Sequence, residues 1–177
     1  MRSRLGGKMK IIIALLVAIS AMAQTPPKPR PSQHGSVTQQ IADTKITIEY
    51  NRPVARGREL FGKLVPYGRI WNPGADQATT IAVSTEIKVN GQSLAAGTYS
   101  LWADPNPDQW TIIFSKAQPV FHIPYPAGRD ALRITAAPRK GEHMETLAFY
   151  FPAVDGRHGE LVLHWGTVVV PIAIDVP

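Results

Sequence analysis

Ile46, Ile48 and Tyr50 alternate with Thr47 and Glu49. A period of two puts one set on each face of a strand. The same signature recurs from Val37 onward. Segments 79–84, 86–89, 98–103, 109–115, 131–136, 144–151, 160–165 and 167–175 are short, rich in β-branched and aromatic residues, and bounded by turn residues. Asn90-Gly91, Ala96-Gly97, Pro105-Asn106-Pro107-Asp108 and Asp155-Gly156 supply the punctuation. No helical period runs for any length. The pattern predicts an all-β chain: an antiparallel β-sandwich or jelly-roll-like barrel of about ten short strands, with at most one short helical turn. That turn is placed over Arg58–Pro66, where Leu60, Phe61, Leu64 and Val65 would share an apolar face.

The alternation also names the core. Trp110, Ile112 and Phe114 fall on one face of their strand; so do Leu147, Phe149 and Phe151; Leu161, Leu163 and Trp165; and Val168, Val170, Ile172 and Ile174. Pro171 has no N–H to give a ladder, so the last strand is expected to be an edge or bulged there.

The N-terminus reads differently. Arg2, Arg4, Lys8 and Lys10 precede an unbroken apolar run from Ile11 to Ile19, and Ala21-Met22-Ala23 follows as a small-residue cleavage site. These are the three regions of a secretory signal, and the run is short for a membrane span. The chain therefore divides into a signal peptide over 1–23, a Pro-rich disordered arm over 24–36 and a single β-domain over 37–177. An exported protein is expected, periplasmic or extracellular, with no stable membrane anchor after cleavage. Net charge follows the same division. The 19 Lys and Arg against 13 Asp and Glu give +6, but residues 1–23 hold four of the bases and no acid, leaving 15 against 13, or +2. That balance argues against a nucleic-acid partner, which wants a basic domain. The chain has no cysteine, which removes disulfides and thiolate chemistry. A domain of roughly 150 residues buries about 70% of its extended surface and needs no such staple.

Chemistry concentrates in residues 49–76. Arg52, Arg56, Arg58 and Arg69 stand there with Glu49, Glu59 and Asp76, interleaved with Tyr50, Phe61, Tyr67, Trp71 and four glycines. Guanidinium forks match carboxylates and phosphates and stack on rings. Two readings follow. In one, Arg52 and Arg58 are forks in a pocket walled by Tyr67 and Trp71, with Glu49 and Asp76 nearby, for a small anion or glycan. In the other, the arginines satisfy Glu49, Asp76 or loop carbonyls and clasp a long crossover to the sandwich. Either makes Arg52 and Arg58 matter more than Arg133 or Arg139. An enzymatic alternative uses Glu49 and Asp76 as acid and base, which requires both in one cleft about 5–10 Å apart.

Other constellations are weaker. A zinc site from His158, His164 and a distant carboxylate competes with His164 as a solvent-face strand residue. Ser84, His164 and Asp175 supply the types of a hydrolytic triad without an ordering motif. No metal or cofactor is expected. The non-catalytic binding module is preferred.

The stretch YNRPVARGRELFGKLVPYGRIWNPGADQATT over 50–80 resembles the signature of a bacterial secreted family, domain of unknown function 2911. AGTYSLW at 96–102, Trp110 and Trp165-Gly166 are similar to its second half. The resemblance implies one extracytoplasmic β-domain over roughly Val37–Ile174 and no defined activity. Asn72-Pro73 departs from the family pattern, where an arginine and a small residue are expected. Cleavage after Ala23 is predicted; intact-mass measurement of the exported protein should show Gln24 as its first residue, and a mass retaining Met9–Ala23 would exclude it.

Overall fold

The computed structural model describes residues 30–177. The expected signal peptide and residues 24–29 of the expected arm lie outside them. Ten strands follow in order: β1 (Gln33–Ile41), β2 (Thr44–Arg52), β3 (Thr80–Val83), β4 (Ile87–Val89), β5 (Gln92–Leu94), β6 (Gly97–Asp104), β7 (Trp110–Ser115), β8 (Asp130–Ala136), β9 (Arg139–Asp155) and β10 (His158–Asp175). They form two antiparallel sheets, β1-β2-β3-β6-β7-β8 and β5-β4-β10-β9. The fold is an open sandwich, not a closed barrel. β1 takes up the last four residues of the stretch expected as an arm.

The inner faces are those the alternation names. Ile46, Ile48 and Tyr50 of β2 and Trp110, Ile112 and Phe114 of β7 meet Leu147 and Phe149 of β9 and Leu161, Leu163 and Trp165 of β10. Phe151 and Val168 are only half-buried at the margin of this core. The outer face of the larger sheet is also covered. Trp102 and Ile113 are buried there with Ala78, beneath Ile70, Val120 and Tyr125. The last two belong to the loop between β7 and β8. Arg133 ties that loop down: its Nε donates to Asp130 at 2.6 Å and its Nη2 to the Tyr125 hydroxyl at 2.9 Å, while Tyr125 donates to Asp130 at 2.5 Å. Burial first, and acceptance by the Asp130 carboxylate second, push the Tyr125 hydroxyl above its ordinary pKa. Arg133 thus pins this loop to β8.

Three local expectations change. Strands β9 and β10 are longer than predicted, 17 and 18 residues. Gly166 looked like a boundary between two strands. It instead has φ +59° and sits where the β9–β10 register shifts, a bulge inside one strand. Gly141 falls between the expected segments 131–136 and 144–151; it lies in β9, where Val169 packs over the place a Cβ would take. Over 58–66 there is no helix. The Leu64 and Val65 amides reach back five residues, to the Glu59 and Leu60 carbonyls, and Gly62 bonds to Val65. This wide turn buries Leu60 and Val65 but leaves Leu64 exposed, so the single apolar face does not form. Pro171 lies beyond the last β9 pair at Val169 and before the first β4 pair at Ile174, where its missing N–H costs no ladder bond.

A Cβ at Gly166 would sit 2.8 Å from Leu60 Cδ1 and require a left-handed backbone. Gly166→Ala is expected to cost about 1–2 kcal/mol from the backbone alone, read as a lower urea midpoint with an unchanged slope. An unshifted midpoint would mean that the bulge is not strained.

Candidate functional site: an arginine–tryptophan groove at the seam of the sheets

The chain leaves β2 on the larger sheet and crosses to the free edge of β9 on the smaller. Tyr50 faces the core, and its hydroxyl accepts the Phe149 N–H at 3.1 Å. Arg52, two residues on and on the same side, donates from Nε to the Leu147 carbonyl at 3.0 Å. A Cβ at Gly35 would meet Arg52 Cδ at 2.7 Å, so glycine on β1 leaves the guanidinium its path. Residues 53–55 then pair with β9. The Leu147 N–H donates to Pro53 at 3.0 Å, Val54 bridges Thr146, and the Ala55 N–H donates to the Glu145 carbonyl at 2.7 Å. The Glu145 carboxylate accepts the Arg56 N–H at 2.6 Å and meets His143 at 2.9 Å.

Arg58 closes the turn by donating to the carbonyls of Ala55 (2.8 Å, from Nε) and Val54 (2.6 Å, from Nη2). Arg56 donates to Pro31 at 3.2 Å. The forks therefore hold backbone oxygens. The ion network expected with Glu49 and Asp76 does not form among the described residues. Glu49 instead accepts Ser36 at 2.7 Å and pairs with His34 at 2.8 Å on the outer face of β1 and β2. Asp76 pairs with Arg30 at 3.6 Å.

The turn packs an aromatic cluster against the end of the sandwich. Phe61 meets Trp110, Trp71 and Trp165 edge-on, at centroid distances of 4.9, 5.9 and 6.2 Å. Trp71 stacks on Trp165 at 6.1 Å with planes 13° apart. Its backbone is fixed by exchanging both hydrogen bonds with Ala103, at 2.7 and 2.8 Å. Asn72, next in sequence, is buried: its Nδ2 donates to Leu101 at 2.7 Å and its Oδ1 accepts the Thr79 N–H at 3.3 Å. Asn72 is thus a hydrogen-bonding keystone of the loop.

A groove of about 430 Å3 opens beside this cluster. Arg56, Arg58, Trp71, Trp165, His122, Pro53 and Leu64 are among its walls, and no carboxylate is. His122 donates from Nδ1 to the Asp76 carbonyl at 2.8 Å, because a carbonyl can only accept. In the neutral ring this leaves Nε2 as an acceptor. A cleft of about 360 Å3 lies on the other side of Arg58 and Trp165, lined also by Glu59, Tyr67, His143 and Thr167. Of the sequence candidates, Arg58 and Trp71 meet in the groove, and Tyr67 lines the cleft. Arg52 lines neither. Glu49 lines a third cavity of about 270 Å3 with His34 and Gln77, and Asp76 is not part of its wall.

Residues 32–174 match the family described as protein of unknown function (DUF2911). The chain belongs to that family. Neither a curated protein nor a solved structure matched the chain.

Sequence reasoning missed Arg56 as a wall, and missed His122 and Trp165. Trp165 was marked as a core-face residue and through the family resemblance, not as part of a site. His122 arrives from the loop between β7 and β8, 51 residues after Trp71, with no local signal. The weaker constellations do not assemble. His164 is buried, not solvent-facing: Nε2 donates to the Glu142 carbonyl at 2.9 Å and Nδ1 faces the Tyr150 hydroxyl at 3.1 Å. His158 is tied to Asp175 at 2.6 Å. Ser84 accepts the Lys45 N–H at 2.8 Å, so the three triad residue types have separate partners. Among the described residues no three His, Asp or Glu side chains converge on a metal-sized site.

Two predictions follow from the clasp. A charged donor on a carbonyl contributes about 1.5–3 kcal/mol, whereas an exposed pair such as Arg139–Glu160 contributes about 0–1 kcal/mol. Arg52→Ala should therefore lower the denaturation midpoint several-fold more than Arg139→Ala, and equal effects would contradict the clasp. The second concerns pH. The His143 contact first, and the Arg56 N–H second, hold the Glu145 carboxyl below its ordinary value of 4.5. A depressed carboxylate stabilises fully above the unfolded pKa, and its contribution is lost as pH falls through the folded one. Wild type minus Glu145→Gln should give a stability difference that shrinks on acidification below about pH 4.5; a difference that grows there would reverse the sign.

Proposed function

We propose that this is an exported, non-catalytic binding module whose groove beside Trp71 takes a small anionic molecule or an anionic glycan. The observation that carries the reading is the wall composition. Two arginines and a histidine line about 430 Å3 with two tryptophans, and no acidic side chain opposes them. That volume lies within the ordinary range for small-ligand sites. Arg58 spends its Nε and one Nη2 proton on carbonyls, and its Nη1 has no protein partner among the described residues. An arginine pre-oriented in this way presents its remaining donors to a carboxylate, sulfate or phosphate with little further ordering cost. Tryptophan at the wall suits a sugar face or an apolar portion of the same ligand. Export rests on the N-terminal signal pattern.

Calorimetric titration with galacturonate, sulfate and inorganic phosphate tests the reading. Binding of at least one is expected, weakened by salt. Arg56→Ala and Arg58→Lys should each reduce it about tenfold, near 1.4 kcal/mol. Arg58→Lys keeps the charge and loses the fork. Absence of binding by all three, or binding indifferent to both substitutions, would overturn the proposal.

A further inference from the structure

Two open sheets leave four edge strands: β1 and β8 in the larger, β5 and β9 in the smaller. An edge presents unpaired N–H and C=O groups, and proteins blunt it by shortness, charge or cover. Three edges here are blunted. β5 is three residues long. β8 carries the Asp130–Arg133 pair. β9 is met by residues 53–55 over positions 145–147 and carries Pro152 and the charges of Arg139, Lys140, Glu142, Glu145 and Asp155. β1 has none of these devices. Its nine residues contain no Lys, Arg, Asp, Glu or Pro, and they pair with β2 one for one without a bulge. Among the described residues β2 is its one strand partner. Among the described residues that precede it, Pro31 has no N–H to give a ladder.

We infer that β1 is a self-association edge, and that two copies of this chain pair antiparallel through it, making one continuous sheet across a two-fold axis. Such an interface is isologous and needs a self-complementary strip. Centred on Val37, the pairing sets Ser36 against Thr38, Gly35 against Gln39 and His34 against Gln40 of the second copy. No like charges face each other, so nothing opposes the ladder. The one ionisable side chain, His34, is engaged by Glu49 of its own chain. A partner of different sequence would need charged or shaped features on the edge to select it. The edge offers hydroxyls, amides and one half-buried valine, which suit a copy of itself.

The chain has no cysteine, so one introduced thiol reports unambiguously. Facing positions in an antiparallel pair lie about 4.5–5.5 Å apart at Cα, within disulfide reach. In this register only position 37 faces its own copy, so mild oxidation should give a covalent dimer more readily for Val37→Cys than for Ser36→Cys or Thr38→Cys. Lys116→Cys, in an exposed loop, should give no covalent dimer. In sedimentation velocity the unmodified protein should show a two-chain mass, and Thr38→Lys a one-chain mass with unchanged circular dichroism. Thr38 is exposed, so the lysine tests the edge without disturbing the core. A one-chain mass for the unmodified protein at its highest soluble concentration overturns the inference. So does a dimer that survives Thr38→Lys and cross-links no better at the edge than at Lys116.

Discussion

The structure depends on one crossing of the chain, from the end of β2 to the free edge of β9. Two sandwiched sheets are held mainly by nonpolar contact, which is nondirectional and sets no register between them. At this crossing the contact becomes directional. The Tyr50 hydroxyl, the Arg52 guanidinium and the backbone of residues 53–55 bond successive positions of β9, from Phe149 to Glu145. The Glu145 carbonyl also accepts the Trp165 indole N–H at 3.3 Å, so the seam reaches into β10. With the seam fixed, the turn over 56–66 falls where Phe61 can fill the end of the core. Trp71 is then stacked on Trp165, and the groove is the space left beside them.

The fold class was legible in the sequence because alternation reports burial directly. Ile112 and Phe114 are buried where a period of two puts them, and so are Leu161 and Leu163. The boundaries of the long strands were not. A glycine looks alike in sequence whether it ends a strand or bulges within one, and Gly166 and Gly141 do the second. The turn over 58–66 misled for a related reason: its apolar spacing suits a helical face, but glycine at φ +90° at position 62 closes the chain earlier.

The site was half legible. Forks, rings and glycines marked a segment that supplies part of the groove, and Arg58 and Trp71 line it. Linear proximity could not say which side chains share a face. Glu49 and Tyr50 are neighbours on a strand and so point to opposite sides of the sheet, which takes Glu49 away from the arginines. Nor could sequence say what the forks hold. Backbone carbonyls leave no trace in composition, and His122 and Trp165 come from distant strands and loops. The two readings weighed at the outset are not exclusive: donors spent on carbonyls make the clasp, and the same anchored arginines give the groove its positive wall.

Residues 53–55 are bonded to β9 by the Val54 bridge and its two flanking hydrogen bonds, and are not a free surface loop. Amide hydrogen exchange tests it most directly. The Ala55 and Leu147 N–H groups, bonded to Glu145 and Pro53, should exchange as slowly as amides within β6 at the centre of the larger sheet. Exchange of both at the rate of the exposed turns would contradict the account.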